Sequence, residues 1–232
     1  MTAQSVINDL EKLGNAKKAK ASSWFFKTEK GQYGHGDKFF GVTVPEQRIV
    51  AKKFEGISLS DIASLLKSEM HECRLTAAII LTNQYKKANG DKKNKIVKFY
   101  IANAKRINNW DLVDSSAPYI LGLHLLNKDK KILYKLAGST NLWERRISIV
   151  ATFAFIRESQ YKDTLYISKI LMTDKHDLIH KAVGWMLREV GKKSQKRLEG
   201  FLLKHLKTMP RTTLRYAIER FPEEERRKYL AK

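Results

Sequence analysis

Residues 108–122 read NNWDLVDSSAPYILG, and the eight from Trp110, WDLVDSSA, have counterparts before and after them. As a helix the stretch puts Trp110 and Asp114 one turn apart on one side, because residues four apart are neighbours on a helical surface. The stripe runs on through Ala117 and Leu121, so a carboxylate lies among apolar groups, where burial is costly unless the charge has a partner. Asp111 falls off the stripe and is left to solvent. Pro118 has no N–H to give the carbonyl of Asp114, which predicts a kink or a free carbonyl at that point.

The counterparts are RLTAAIIL from Arg74, RISIVATF from Arg146, KAVGWMLR from Lys181 and RYAIERFP from Arg215, spaced 36, 36, 35 and 34 residues apart. One helical hairpin per roughly 35 to 45 residues is the period of helical solenoids. In such arrays each hairpin buries one face against its neighbours, and the second helices line a concave surface. The prediction is an all-α, HEAT/armadillo-like superhelix with a concave basic groove, a single repeat domain over residues 1–232.

Other local signals agree. Four prolines, at 45, 118, 210 and 222, and long runs at helical period such as NLWERRISIVATFAFIRES and DLIHKAVGWMLREVGKK leave no stretch that reads as a strand. Thr43 with Glu46 makes a capping box, with Pro45 in the first turn. Breaks are expected near Gly14, 30–41, Gly56, 89–91, 127–130, 138–140, 174–176 and 208–210. KGQYGHGDKFFG reads as an ordered loop; its glycines lack the order of a nucleotide-binding fingerprint. Trp24, Phe25 and Phe26 read as the core of an N-terminal helix, and Trp143 as packing.

Charge narrows the partner. Lys plus Arg number 45 against 24 Asp plus Glu, a net +21 spread from Lys17 to Lys232, so a tail is not the source. Such a field attracts polyanions. No apolar run approaches the roughly 20 residues that span a bilayer, and MTAQSVINDLEKLG is a short amphipathic helix with acids in it, unlike a signal peptide. Nucleic acid is thus favoured over a membrane, in a cytoplasmic, nucleoid-associated monomer. Cys73, the one cysteine, excludes an internal disulfide and a multi-cysteine zinc site, and with no activating partner besides Arg74 it reads as a buried thiol. His176 and His180 stand four apart without a third ligand, so no metal and no cofactor are expected.

The repeat register gathers chemistry into rows. Its first position holds Arg74, Trp110, Arg146, Lys181 and Arg215; four residues on stand Ala78, Asp114, Val150, Trp185 and Glu219. Lys181, Trp185, Arg188 and Lys192 follow one another as an aromatic and basic stripe on one helix. Cations suit a phosphate backbone and indoles suit sugar or base. Lys181, Arg188, Lys192, Arg74 and Arg215 are therefore candidate DNA contacts, although Arg74 also reads as a structural arginine of its repeat. Arg146 lies on the apolar stripe Leu142, Ile149, Phe153 and Ile156, which a solvated arginine would avoid.

WDLVD followed by SSAPYILG, the arginine in LWERRISI, HKAVGWMLREVGKK and the N-terminal GDKFFGVTVPEQR together resemble the AlkD-type DNA alkylation repair glycosylases, over roughly residues 20–225. The resemblance implies a HEAT-like solenoid that binds duplex DNA and excises cationic N3- or N7-alkylated purines such as 3-methyladenine and 7-methylguanine. By motif, its catalytic residues are Trp110, Asp114, Arg146 and Trp185. Cleavage of an N-glycosidic bond develops positive charge on the sugar. A fixed carboxylate there, Asp114, stabilises that charge and orients water. The two indoles offer negative ring faces to a cationic nucleotide, and Arg146 holds a phosphate. No lysine is assignable as a Schiff-base nucleophile, so lyase activity is not expected. The alternative is a repeat protein of the same fold that binds branched or damaged DNA without chemistry; a scaffold for an acidic protein would leave the Trp–Asp pair idle.

Overall fold

The computed structural model describes residues 1–231. The chain is all helix among these residues; the only strand-like feature is an isolated bridge between Lys38 and Met70. It divides into two compact units, Met1–Ser116 and the chain from Ala117 onward.

The first unit contains α1 (Ala3–Lys12), α2 (Ala16–Phe25), α3 (Val44–Lys53), α4 (Leu59–Leu66), α5 (His71–Lys87), α6 (Gly90–Ala102) and α7 (Trp110–Ser116). Its centre is α5, which touches α1, α3, α4, α6 and α7. RLTAAIIL has no polar face, and a helix apolar all round must be enclosed. Cys73, Leu75, Ala77, Ala78, Ile79, Ile80 and Leu81 are accordingly buried, and burial pushes the Cys73 thiol up to about 11. The capping box forms at the start of α3, where the Glu46 carboxylate accepts from the Thr43 backbone N–H at 2.7 Å and from its hydroxyl at 2.6 Å.

Of the aromatic core expected at the N-terminal helix, only Phe26 packs, and it lies just past the end of α2. α2 buries no residue; Trp24 is 83% and Phe25 55% exposed. The lysines and alanines of AKKAKASSWF supply no apolar stripe, so this helix is held at its ends. Asn15 caps it through the Lys18 N–H at 3.0 Å. Gly41, at φ +84°, passes so close that a Cβ would stand 2.1 Å from the Asn15 carbonyl oxygen, a place only glycine can take.

The second unit contains α8 (Leu123–Leu125), α9 (Lys131–Ala137), α10 (Leu142–Ala151), α11 (Phe153–Arg157), α12 (Lys162–Leu171), α13 (Asp177–Lys193), α14 (Gln195–His205), α15 (Arg211–Ala217) and α16 (Glu223–Leu230). α13 is its long member and packs on α10, α11, α12, α14 and α15. One side of α13 buries Ile179, Ala182, Val183, Met186, Leu187 and Val190, leaving Lys181, Trp185, Arg188 and Lys192 on the other. Gly184 sets the spacing to α15: a Cβ there would lie 2.5 Å from that of Tyr216 and 2.7 Å from the Thr213 carbonyl.

α5 packs on α7 in the first unit, and in the second α10 packs on α13 and α13 on α15, as the repeat register requires. Two helical runs are interrupted. Residues 142–157 part at Thr152, whose hydroxyl bonds back to the Ile149 carbonyl at 2.7 Å, a contact that bends helices. After α7, residues Pro118–Gly122 form a π-helical turn closed by Gly122 N–H to the Ala117 carbonyl at 2.9 Å. That is the distortion the missing N–H of Pro118 predicts; such turns recur at functional sites. No helix is long and apolar enough to cross a membrane among the described residues.

Candidate active site and nucleic-acid interface

In the first unit the site is built on the start of α7. The Asn109 side chain, fully buried, accepts from the Trp110 N–H at 2.8 Å and starts the helix. Trp110 and Asp114 follow on one side of it, both half-buried. Beneath them Tyr100 and Ser116 share a hydroxyl–hydroxyl hydrogen bond of 2.8 Å. The Tyr100 hydroxyl pKa is raised, first by burial and then by the charge of Asp114.

The indole of Trp110 stacks on Phe26, centroids 5.6 Å apart, and meets the edge of Phe25 at 6.0 Å. Phe26 stacks on Phe39 at 5.3 Å, and both rings lie against the imidazole of His71, at 4.5 and 4.9 Å. His71 is buried between two carboxylates: Nδ1 is 3.2 Å from Asp37 and Nε2 2.8 Å from Asp111. Ionised carboxylates only accept, so both ring nitrogens carry protons and the ring is a cation. Burial pushes the His71 pKa down. The charge and hydrogen bond of Asp111 and the bond to Asp37 outweigh it and lift the pKa to about 9. Asp37 is likewise pushed up by burial and pulled further down by His71 and Arg74, ending below the usual carboxylate range.

This cluster ties down the glycine-rich loop. Asp37 also takes the Asn109 amide at 3.2 Å and lies 2.7 Å from Arg74 Nη2. Glu72 accepts the backbone N–H groups of Phe40, Gly41 and Val42 at 3.1, 2.8 and 3.2 Å. HECR, residues 71–74, thus receives GDKFFGV, and the loop brings Phe39 to the stack under Trp110.

Two expectations are corrected here. Arg74, a candidate phosphate contact, is 3% exposed. Its Nη1 donates to the carbonyls of Ser68 and Glu69 at 2.8 and 3.1 Å, and its other nitrogen faces Asp37; the structural role is the one it fills. Asp111, left to solvent by the helical wheel, is bound to His71. Neither His71 nor Asp37 stands out in the sequence, because their partners lie 34 and 40 residues away along the chain. The one available signal is an excess of acids and a histidine around motifs of a strongly basic chain.

In the second unit Arg146 is buried and donates from Nη1 to the Leu178 carbonyl at 2.6 Å, joining α10 to the first turn of α13. Trp185 is half-buried, 5.7 Å from Phe153. The Arg157 guanidinium lies 4.5 Å over Phe153 and 5.9 Å from Tyr119, which places an unforeseen cation behind the second indole. The basic stripe of α13 is accompanied by acids: Lys181 with Asp177 at 2.7 Å, Lys192 with Glu189 at 2.7 Å, and Arg188 with Glu219 and with Glu189 at 3.6 Å. Arg215 is exposed on α15. His176 accepts the Leu178 N–H at 3.1 Å, and His180 bonds the Asp174 carbonyl at 2.5 Å.

The buried imidazolium makes stability pH-dependent. Its folded pKa is raised from 6.5 to about 9, so its contribution is complete below about pH 6.5 and drains as pH rises through 9. The expected loss is about 3 kcal/mol across that window, read as a falling thermal midpoint between pH 6.5 and 9. His71→Gln should be less stable at pH 6.5 and lack that slope. A wild-type midpoint flat over this range would mean that the ring is neutral.

Among solved structures, one described as "Predicted DNA alkylation repair enzyme from Enterococcus faecalis" shares the fold, with a TM-score of 0.71 and 17% identity over 90% of this chain and 97% of that one. No curated protein matches the sequence. The model of the family described as DNA alkylation repair enzyme matches residues 6–221, and a match over nearly the whole chain means that this protein belongs to the DNA alkylation repair enzyme family.

Proposed function

We propose that the chain is a DNA glycosylase that hydrolyses the N-glycosidic bond of N3- and N7-alkylated purines in duplex DNA, acting as a cytoplasmic, nucleoid-associated monomer. The observation that carries the reading is the pair on α7: a half-buried carboxylate, Asp114, one turn from an indole, Trp110, whose ring is held by stacking on Phe26. Alkylation makes the purine a cation and a good leaving group. As the bond from the sugar to the base nitrogen breaks, its electron pair passes to the base and neutralises it, leaving an oxocarbenium centre on the sugar. Asp114 stabilises that centre electrostatically and orients the water that adds to it; the water's proton leaves to Asp114 or solvent. Trp110 and Trp185 give ring faces to the cationic nucleotide, and Arg146, buried and bonded to the Leu178 carbonyl, acts by fixing the first turn of α13, the helix that carries Trp185. Release of free 7-methylguanine and 3-methyladenine from methylated duplex DNA tests the reading; DNA binding without release of either base would replace it with that of a non-catalytic DNA-binding protein.

Duplex affinity should fall steeply with salt, since each phosphate neutralised by a cation contributes about 0.9 to the log–log slope. Replacing Lys181, Arg188 and Lys192 together by Ala should flatten that slope by up to about 0.9 for each phosphate no longer neutralised, alike for any sequence, and Arg215→Ala should act in the same direction. An unchanged slope in the triple variant would place the DNA elsewhere.

A further inference from the structure

α12 and α14 both pack on α13, and between them opens a cleft of about 1050 Å³. Lys162, Lys169, Lys196, Arg197 and Lys204 line it. All five are exposed, and among the described residues none is ion-paired, unlike Lys181, Arg188 and Lys192 of α13. The single acid of the lining, Asp163, is occupied by the Tyr134 hydroxyl. Holding five like charges around one concavity is unfavourable unless an anion enters it. The site described above uses none of these residues.

The cleft also has aromatic walls. Tyr166 is 55% exposed and is braced edge-on by Tyr134 at 5.3 Å. Tyr161 is half-buried in the same lining, and Phe201, buried, lies 4.6 Å from the ring of His205. A duplex keeps its base faces stacked inside and offers an exposed ring such as Tyr166 only sugars and groove edges. An unpaired strand offers phosphates to lysines and base faces to tyrosines at once, the combination by which single strands are held without sequence preference.

We propose that the α12–α14 cleft is a second nucleic-acid site, one that takes a single-stranded segment through Lys162, Lys169, Lys196, Arg197 and Lys204 with a base stacked on Tyr166. It is independent of base excision and draws on none of the residues of the α13 stripe.

The probe is a fluorescein-labelled decathymidylate bound to the full chain. The charge-reversal variant Lys169→Glu/Lys196→Glu/Lys204→Glu should bind it at least about tenfold more weakly, with a salt slope reduced by about 0.7 for each phosphate no longer neutralised. Tyr166→Ala should weaken it roughly fivefold or more. A readout confined to the cleft is the His205 ring, whose pKa is lowered by burial and then by Lys169 and Lys204. Phosphate beside those lysines should move its resonances and raise its titration midpoint. Unmoved His205 resonances at saturating decathymidylate, or equal affinity of wild type and triple variant, would overturn the proposal. So would a poly-glutamate peptide of the same charge competing as well as the oligonucleotide, since that would leave the tyrosines without a role. Base release from methylated duplex, measured on the same variants, should be unchanged. Its absence in wild type would count against the glycosylase reading alone.

Discussion

Asp114→Asn is expected to lower release of 7-methylguanine by about 100- to 1000-fold while duplex binding stays the same or tightens slightly. The substitution keeps size and hydrogen-bonding capacity and removes only the charge. A preorganised interaction with charge developing in the transition state is worth about 2.7 to 4 kcal/mol, whereas in the ground state the loss of an acid from a basic protein favours phosphate. Trp110→Ala and Trp185→Ala should cost less, roughly 0.5 to 2 kcal/mol each, because each removes a ring face and not the countercharge. Trp110→Ala also leaves Phe26 without one of its stacking partners, so its unfolding midpoint must be measured beside its rate. Single-turnover base release with Asp114→Asn at the wild-type rate would remove Asp114 from the mechanism.

Arg74→Ala should destabilise the protein by about 3 to 5 kcal/mol, the usual consequence of removing one partner from a buried charge pair. Asp37 would keep His71 and Asn109 but lose its nearest guanidinium, and the Ser68 and Glu69 carbonyls would lose their donor. Urea unfolding would read the loss directly. A solvated cation that serves a phosphate behaves in the opposite way: its removal leaves stability within about 0.5 kcal/mol and lowers the salt slope of DNA binding by about 0.9. A stable Arg74→Ala protein with a reduced slope would restore the DNA-binding role that its burial argues against.

What local spacing controls is legible in the chain alone. DLIHKAVGWMLREVGKK is α13 from its first residue to its last, because a 17-residue amphipathic run states its own period and buried face. The capping box at Thr43 and the distortion after Asp114 are readable for the same reason: a cap and a proline act within one turn. Trp110 and Asp114 fall together because four residues make one turn, and the repeat spacing brings Lys181 and Arg215 onto adjoining helices.

The environment of the site is decided only in three dimensions. Whether Asp111 meets solvent or a histidine depends on where α5 passes α7, and whether Arg74 meets DNA or Asp37 depends on where the glycine-rich loop comes to rest. A helical wheel assigns a face; it does not say what covers that face. Trp24 and Phe25 show the converse: hydrophobicity suggests a core, but Trp24 stays 83% exposed and Phe25, touched only at its edge by Phe26 and Trp110, 55% exposed. The sequence by itself determined the helices, their repeat and the carboxylate–indole pair, since these depend on neighbours within a few residues or on regular spacing. Tertiary structure alone decided the charged cluster under Trp110, the burial of Arg74 and Arg146 and the unpaired cations of the α12–α14 cleft, because the burial and pairing of a charge depend on groups distant in sequence and close in space.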